Sequence, residues 1–223
     1  MARRGGGRSL HVPVRSSRRR PASSTQWLRR QLNDPYVSDA KAAGYRSRAA
    51  FKLIELDDRF NILRPGARVL DLGAAPGGWS QVAAERVGGG TVVAADLSPI
   101  DPIPGVTVLA LDVTDEAAPA RLAAALGGPA DAVLSDMAAP ATGHRQTDHL
   151  RTMALAEAAW AVADGLLAPG GTFLAKVLQG GTERTLLDAL RRQFAAVRHA
   201  KPPASRRDSK EMYVLATGYR RAD

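Results

Sequence analysis

Four charged residues stand where the surrounding sequence is apolar. Lys52 lies within the stretch AAFKLI, and Lys176 interrupts the stretch FLAKVL. Asp136 directly follows the run AVLS, and Glu211 directly precedes the run MYVL. Charged side chains are seldom buried without a partner, so we expect oppositely charged members of this set to meet. A lysine beside a carboxylate could take a proton from a hydroxyl group, provided that its amine is neutral when the hydroxyl arrives.

The same four residues also allow simpler interpretations. Lys176 and Asp136 could form an ion pair that only supports the structure. Lys52 could lie on a helix surface with its amine in water, and Glu211 could be a solvated acid at the start of a strand. The residue types alone leave these alternatives open at each position.

A glycine-rich turn follows an apolar segment and precedes a helical one. The segment reads VLDLGAAPGGWS over residues 69–80, and its glycines allow the backbone to approach a ligand closely. Ala75 replaces the middle glycine of the dinucleotide fingerprint, so a ligand without phosphates fits better. Asp96 and Asp112 follow the next two predicted strands, where carboxylates can bind ribose hydroxyls and an adenine amino group. Together they predict an adenosyl ligand in a crevice at the strand ends, whereas Asp71 could simply brace the turn.

Short β-branched segments alternate with longer helical patterns from residue 67 onward. We predict strands at residues 68–72, 91–95, 107–111, 132–135, 172–177, 197–200 and 212–217, and helices at residues 78–86, 115–126, 148–167 and 182–193. A further helix is predicted to be capped by Ser47 and to run to about Arg59. This alternation predicts an α/β fold with a mostly parallel sheet covered on both faces. The last two strands are too close in sequence for a helix between them, so we expect an antiparallel last strand.

The composition excludes several kinds of site. The 223 residues include no cysteine, which removes disulfides, thiolate metal sites and a cysteine nucleophile such as the one used in pyrimidine C5 methylation. The four histidines lack metal-ligand spacing, and we predict no metal site. No apolar run approaches the roughly 20 residues of a membrane span, so we expect no membrane partner.

The positive charge is concentrated at the amino terminus. Residues 1–30 contain nine arginines and no acidic residue, and the rest of the chain is balanced at 22 basic and 22 acidic side chains. We therefore predict a basic disordered arm at residues 1–23 and one folded domain at residues 24–223. The arm could bind RNA phosphates, keep the protein soluble or act as a mitochondrial transit peptide. Because its glycines and Pro13 break an amphipathic helix, we expect a cytoplasmic protein, with a mitochondrial one as the alternative.

Five motifs resemble those of the FtsJ/RrmJ family of ribosomal RNA 2′-O-methyltransferases and occur in the same order. They are SRAAFK at residues 47–52, DLGAAPGGWS at 71–80, SDMA at 135–138, KVLQG at 176–180 and SKEMY at 209–213. The resemblance implies a Rossmann-like S-adenosylmethionine-dependent methyltransferase fold for the domain at residues 24–223. It implies a catalytic tetrad of Lys52, Asp136, Lys176 and Glu211. It also implies an S-adenosylmethionine pocket lined by Gly77, Trp79, Asp96, Asp112 and Asp136.

The resemblance also implies a substrate. The methyl group would go to the ribose 2′-oxygen of a uridine in the A-loop of large-subunit ribosomal RNA, within the assembled large ribosomal subunit. We expect the enzyme to act as a monomer. The sequence departs from the family at two places. Ala139 and Pro140 follow SDMA where the family often has Pro-Asn, which leaves the fine substrate geometry open, and Leu178 replaces the usual phenylalanine.

Two other functions remain open from the sequence. The chain could methylate another acceptor, such as a small-molecule hydroxyl or a different RNA, or it could be a ribosome-assembly factor that retains the fold without catalysis. Basic residues near the motifs favour RNA, namely Arg46, Arg48, Arg206, Arg207 and Lys210. The SDMA motif differs from the Asn/Asp-Pro-Pro-aromatic element of amino-group methylases, which argues against base N-methylation.

Overall fold

The computed structural model of the chain describes residues 32–140, 142–179 and 184–220. The predicted arm at residues 1–23 and the first residues of the helix predicted at 182–193 lie outside these ranges. The helices are α1 (Pro35–Ala42), α2 (Ala50–Phe60), α3 (Gly78–Val87), α4 (Ala118–Leu126), α5 (Arg145–Leu166) and α6 (Arg184–Gln193). The strands are β1 (Arg68–Leu72), β2 (Thr91–Asp96), β3 (Val106–Ala110), β4 (Ala130–Ser135), β5 (Leu167–Leu178), β6 (Phe194–Ala200) and β7 (Glu211–Tyr219).

The described residues form one seven-stranded sheet in the order β3–β2–β1–β4–β5–β7–β6. Neighbouring strands from β3 to β5 are parallel. Strand β7 is antiparallel to both β5 and β6. The predicted α/β fold and antiparallel last strand are therefore confirmed.

Helices cover both faces of the sheet, and alternate strand residues supply the two apolar layers. Leu70 of β1 belongs to the layer that includes Leu122 of α4 and Trp160 of α5. Val69 points to the opposite face and belongs to the layer that includes Leu53 of α2. None of the described helices is both long and apolar enough to cross a membrane.

The reversed direction of β7 brings its first residue to the edge where the parallel strands end. Glu211 pairs with Leu178, the last residue of β5. The 201–210 connection between β6 and β7 lies at that same edge, because it enters β7 there. Side chains from β4, β5 and β7 can therefore meet at one place.

Helix α2 begins later than the sequence predicted, so the prediction of Ser47 as its cap was wrong. Its N-cap is Ala49, which makes no side-chain capping bond, and Ser47 instead accepts a hydrogen bond from Ala50 N through its backbone carbonyl, at 3.2 Å. The Ser47 hydroxyl lies against α3, 2.5 Å from the position that a Cβ on Gly78 would occupy. Packing between the two segments therefore places this hydroxyl away from the start of α2.

Candidate active site

The structure brings together the four charged residues of the predicted tetrad. Asp136 directly follows β4, Lys176 lies in β5, Glu211 begins β7, and Lys52 lies in α2. Lys176 Nζ is 2.9 Å from Asp136 Oδ1 and donates to the Asp136 backbone carbonyl at 2.7 Å. Lys52 Nζ is 2.7 Å from Glu211 Oε1 and 3.6 Å from Asp136 Oδ2. The four residues thus form a continuous chain of alternating charge.

Two hydroxyl groups that the sequence analysis did not identify complete this cluster. The buried Tyr213 hydroxyl donates to Asp136 Oδ1 at 2.6 Å and lies 3.3 Å from Glu211 Oε1. The hydroxyl of Ser205, from the 201–210 connection, donates to Glu211 Oε1 at 2.9 Å. Tyr213 stands two residues after Glu211 in a strand, so their shared face could have been inferred from strand periodicity. The position of Ser205 depends on a loop and carries no such signal.

The charges around Asp136 keep its carboxyl ionised despite burial. Burial raises the pKa of Asp136, but Lys176, Lys52 and the Tyr213 hydroxyl together lower it more, and the net pKa lies below the ordinary value. Burial, followed by the carboxylates of Asp136 and Glu211, raises the pKa of Tyr213 well above its ordinary value. Tyr213 therefore remains a hydrogen-bond donor, and Asp136 remains an acceptor that can stabilise an adjacent ammonium group.

A cavity of about 360 Å³, which we call the first cavity, lies at the carboxyl ends of β1, β2, β3 and β4. Asp96, Asp112 and Asp136 all line it. Asp96 accepts hydrogen bonds from Ala75 N at 2.9 Å and from Ser98 N at 2.7 Å. A carboxylate has about four lone-pair positions, so Asp96 can still accept bonds from two ribose hydroxyls. The volume and the acidic strand ends fit an adenosyl group.

Two positions in the wall of this cavity are fixed by their neighbours. Gly73 lines the cavity with a φ of +72°, and a Cβ there would collide with the side chain of Met137. Asp112 is held by Thr114, whose amide and hydroxyl donate to it at 2.9 and 2.7 Å and lower its pKa. The glycine-rich turn and the third strand end therefore have preorganised positions.

Gly77 and Trp79 do not line the first cavity. A Cβ on Gly77 would lie 2.5 Å from Ile103 Cδ1, and its φ of +109° starts the turn into α3. The indole of Trp79 is buried, donates to the Ala49 carbonyl at 2.7 Å and packs on the Tyr213 ring at 5.6 Å between centroids. In this structure Gly77 lies against Ile103, and Trp79 packs against Tyr213.

A second cavity, of about 450 Å³, lies on the other side of the tetrad. It is lined by Arg48, Ala49, Lys52, Ala204, Arg206, Asp208, Ser209 and Glu211. It shares no lining residue with the first cavity. Asp136 thus lines the first cavity, Lys52 and Glu211 line the second, and Lys176 lies beside Asp136 without lining either cavity.

The basic residues near the motifs have different positions. Arg48 and Arg206 line the second cavity, whereas Arg207 and Lys210 are exposed outside both cavities. Arg46 donates to the backbone carbonyls of three residues from two loops, at 2.7–3.2 Å: Pro76, Asp101 and Pro102. Its guanidinium therefore ties these loops together.

Asp71 is a buried carboxylate beneath the glycine-rich turn. Its Oδ2 accepts a 2.6 Å hydrogen bond from the Ser80 hydroxyl, and its Oδ1 has no partner among the described residues. Burial raises the pKa of Asp71 to about 7, with the Ser80 bond lowering it and the charges of Asp136 and Asp96 raising it further. The bond to Ser80 links β1 to α3, so Asp71 braces the helix that follows the turn.

No group of three or more metal-ligating side chains occurs among the described residues.

The model of the FtsJ-like methyltransferase family matches residues 45–219. The chain is 62% identical over 222 residues to ribosomal RNA large subunit methyltransferase E of Paramagnetospirillum magneticum. The aligned region covers 97% of this chain and 91% of that protein. It is 59% identical over 220 residues to the protein of the same name from Rhodospirillum rubrum, covering 96% and 84%.

A solved structure is also similar. It is a crystal structure described as a ribosomal RNA methyltransferase from Plasmodium falciparum, with a TM-score of 0.72 and 29% sequence identity, and the match covers 80% of this chain and 100% of that one. The family match extends over most of the chain and includes all four tetrad positions. The chain therefore belongs to the FtsJ-like methyltransferase family.

Proposed function

We propose that this chain methylates the ribose 2′-oxygen of a uridine in large-subunit ribosomal RNA, in the A-loop of the assembled large subunit. The names of the similar proteins from Paramagnetospirillum magneticum and Rhodospirillum rubrum support large-subunit ribosomal RNA as the substrate. The observation that carries the proposal is the position of the tetrad between two cavities that share no lining residue. Such an arrangement suits a reaction between a donor and an acceptor that bind separately.

The first cavity would hold S-adenosylmethionine through Asp96 and Asp112. When bound, S-adenosylmethionine supplies an electrophilic methyl group on a sulfonium. The second cavity would hold the acceptor ribose against Lys52 and Glu211. Alignment of the two partners by separate cavities favours the in-line approach that methyl transfer requires.

In the proposed reaction, the Lys176 ammonium first releases a proton to water, and its neutral Nζ then takes the proton of the 2′-hydroxyl. A ribose hydroxyl is a weak nucleophile until its proton is leaving, and an amine can accept that proton only in its neutral form. The ammonium that results lies 2.9 Å from the ionised Asp136 carboxylate, which stabilises it. Tyr213, at 2.6 Å from the same carboxylate oxygen, keeps Asp136 in place during the transfer.

Lys52 and Glu211 would orient the acceptor. Their side chains are 12% and 17% exposed and 2.7 Å apart, so each fixes the other at the cavity wall. The positive charge of Lys52 lies on the acceptor side, where it would stabilise negative charge that develops on the 2′-oxygen. Ser205 limits the movement of Glu211 through its 2.9 Å hydrogen bond.

The test compares Lys176→Ala and Lys176→Arg in single-turnover methylation of large ribosomal subunits. If Lys176 is the base, alanine should reduce the rate by at least roughly 10²–10⁴-fold with near-normal S-adenosylmethionine affinity. Arginine should not restore the rate, because its guanidinium stays protonated. Lys41→Ala, at an exposed position on α1, is the control. Near-normal methylation by Lys176→Arg would instead make Lys176 an electrostatic clamp.

The target position needs a separate experiment. Mapping of 2′-O-methyl groups in ribosomal RNA, from cells with and without the protein, should show one uridine of the A-loop that loses its methyl group. Loss of a methyl group at another ribose would redirect the proposal. Loss of none, together with a defect in subunit assembly, would favour an assembly role.

A further inference from the structure

Arg46 joins two loops that both border the first cavity. Its Nη1 donates to the Pro76 carbonyl at 3.2 Å and to the Asp101 carbonyl at 2.7 Å, and its Nη2 donates to the Pro102 carbonyl at 2.7 Å. Pro76 belongs to the glycine-rich turn between β1 and α3, whereas Asp101 and Pro102 belong to the connection between β2 and β3. The N–H donors of a planar guanidinium point in several directions, so one side chain can hold both loops.

Each of these loops supplies part of the wall of the first cavity. Ala75, directly before Pro76, lines the cavity in the glycine-rich turn, and Leu97 and Ser98 line it in the connection between β2 and β3. Leu97 is 72% exposed, so packing of its side chain contributes little to the position of this part of the wall. Arg46 does not itself line the cavity. Its guanidinium therefore acts on the cavity through the two loops.

Asp96 bridges the same two loops on the cavity side. Its Oδ2 accepts a hydrogen bond from Ala75 N at 2.9 Å, and its Oδ1 accepts one from Ser98 N at 2.7 Å. The orientation of this carboxylate, which is the proposed acceptor for ribose hydroxyls, therefore depends on the separation of the two loops. Arg46 fixes that separation from outside the cavity. A change in the separation would move the lone pairs of Asp96 that the ribose must meet.

Arg46 is in turn held against α3. Its backbone N donates to Gln81 Oε1 at 2.8 Å, and Gln81 Nε2 donates to the Gly44 carbonyl at 3.0 Å. The Tyr45 hydroxyl donates to Glu85 Oε2 at 2.8 Å. Three consecutive residues before α2 are thus bonded to side chains of α3. The helix that follows the glycine-rich turn therefore determines where the guanidinium of Arg46 can reach.

Gly77 leaves the space that this guanidinium occupies. A Cβ on Gly77 would lie 3.2 Å from Arg46 Nη1 and 2.5 Å from Ile103 Cδ1. A larger residue would therefore separate the turn from the connection between β2 and β3. The glycine borders the side chain that holds the cavity wall, although it does not line the cavity.

We propose that Arg46 is a positioning residue for S-adenosylmethionine binding, and that it holds the two loops at the separation that Asp96 requires. This inference rests on the proposed function, in which the first cavity holds the methyl donor. It assigns Arg46 to the donor side, although its charge alone favours RNA. Both N–H groups of Arg46 Nη1 are directed at backbone carbonyls, so this nitrogen keeps no donor for a phosphate.

The first test is calorimetric titration of the full-length protein with S-adenosylmethionine and with S-adenosylhomocysteine, which measures affinity without catalysis. Arg46→Gln should raise Kd for both ligands at least about tenfold, because charge-assisted hydrogen bonds to Asp96 lose their alignment. Arg46→Lys should recover little of this loss, because a compact ammonium group on a flexible stem does not reproduce the planar fork. Arg64→Gln, at an exposed arginine, is the matched control and should leave both Kd values unchanged.

The second test is methylation of large ribosomal subunits, which separates a positioning role from an RNA contact. Arg46→Gln should raise KM for S-adenosylmethionine, with kcat, KM for RNA and its salt dependence close to those of the unmodified protein. An RNA contact would instead raise KM for RNA, make its salt dependence shallower and leave S-adenosylmethionine affinity unchanged. That result would overturn the inference.

Gln81→Leu provides a second variant that keeps the guanidinium and the net charge. It removes the bonds to Arg46 N and to the Gly44 carbonyl, and it should weaken S-adenosylmethionine binding a few-fold, as expected for lost neutral hydrogen bonds. Combined with Arg46→Gln it should add little, because both changes act on the same contact. If Arg46→Gln does not fold, Gln81→Leu alone decides, and an unchanged Kd in it would overturn the inference. If the unmodified protein binds neither ligand, the proposed function itself fails, which is a distinguishable result.

Discussion

The free energy of unfolding of Asp71→Asn should increase relative to that of the unmodified protein as the pH rises. The Asp71 carboxyl has its pKa raised by burial from 3.8 to about 7. Between these values the folded protein holds a proton that the unfolded chain has lost, so the free energy of unfolding of the unmodified protein falls as the pH increases. This loss is complete once the pH exceeds about 7. Asparagine stays neutral, and the variant does not lose stability in this way.

The magnitude follows from the two titrations. One pKa unit corresponds to about 1.4 kcal/mol, so the raised pKa of Asp71 lowers the free energy of unfolding by roughly 2 kcal/mol at pH 5 and by about 4 kcal/mol at pH 8. The difference in unfolding free energy between variant and unmodified protein should therefore increase by roughly 2–3 kcal/mol over this range. In the variant, the carbonyl oxygen of the new asparagine can still accept from Ser80, and its amide group replaces the oxygen that has no described partner. The cost of that amide is independent of pH and cancels from the comparison.

The assay is urea unfolding of both proteins at pH 5, 6, 7 and 8, followed by tryptophan fluorescence. Asp115→Asn, at an exposed position, controls for removal of one negative charge. A difference between Asp71→Asn and the unmodified protein that stays constant across this pH range would refute the reasoning. That result would mean that the buried carboxylate is already ionised at pH 5.

Two further predictions concern ligand binding. Asp96→Ala should weaken S-adenosylmethionine binding about tenfold or more, because the bonds from the ribose hydroxyls to a charged acceptor are lost; unchanged affinity by calorimetry in a folded variant would remove Asp96 from the binding site. Deletion of residues 1–23 should weaken binding to RNA or to the large subunit and flatten its salt dependence, with S-adenosylmethionine affinity unaffected. Equal affinities with and without these residues at several salt concentrations would leave the arm as a solubility or targeting segment.

The order of the secondary structure could be read from the sequence because each element has its own apolar pattern. Lys176 and Asp136 were identifiable for the same reason, since a charge within or directly after a buried strand is conspicuous. The contact between Asp34 and Arg206 could not be identified from the sequence, because it joins residues 172 positions apart and depends on how a loop folds.

The wrong prediction of a helix cap had a local cause. Ser47 has the chemistry of a helix cap, but its hydroxyl packs against the segment of Gly78 and the helix starts at Ala50. Gly77 and Trp79 belong to the glycine-rich motif and remain predicted cofactor-pocket residues, although neither of them lines the first cavity. The orientation of each residue within that turn is set by contacts with Ile103 and Tyr213, which are far away in sequence.

The single reversed strand divides the site into two parts with different origins in the chain. The first cavity is built mainly at the ends of the parallel strands β1 to β4, whereas the second is built on α2, its preceding turn and the 201–210 connection into β7. Substitutions or insertions in that connection can therefore remodel the second cavity without disturbing the parallel core. In evolutionary and engineering terms, the part of this scaffold that forms the first cavity can be kept unchanged while the part that forms the second cavity is redesigned.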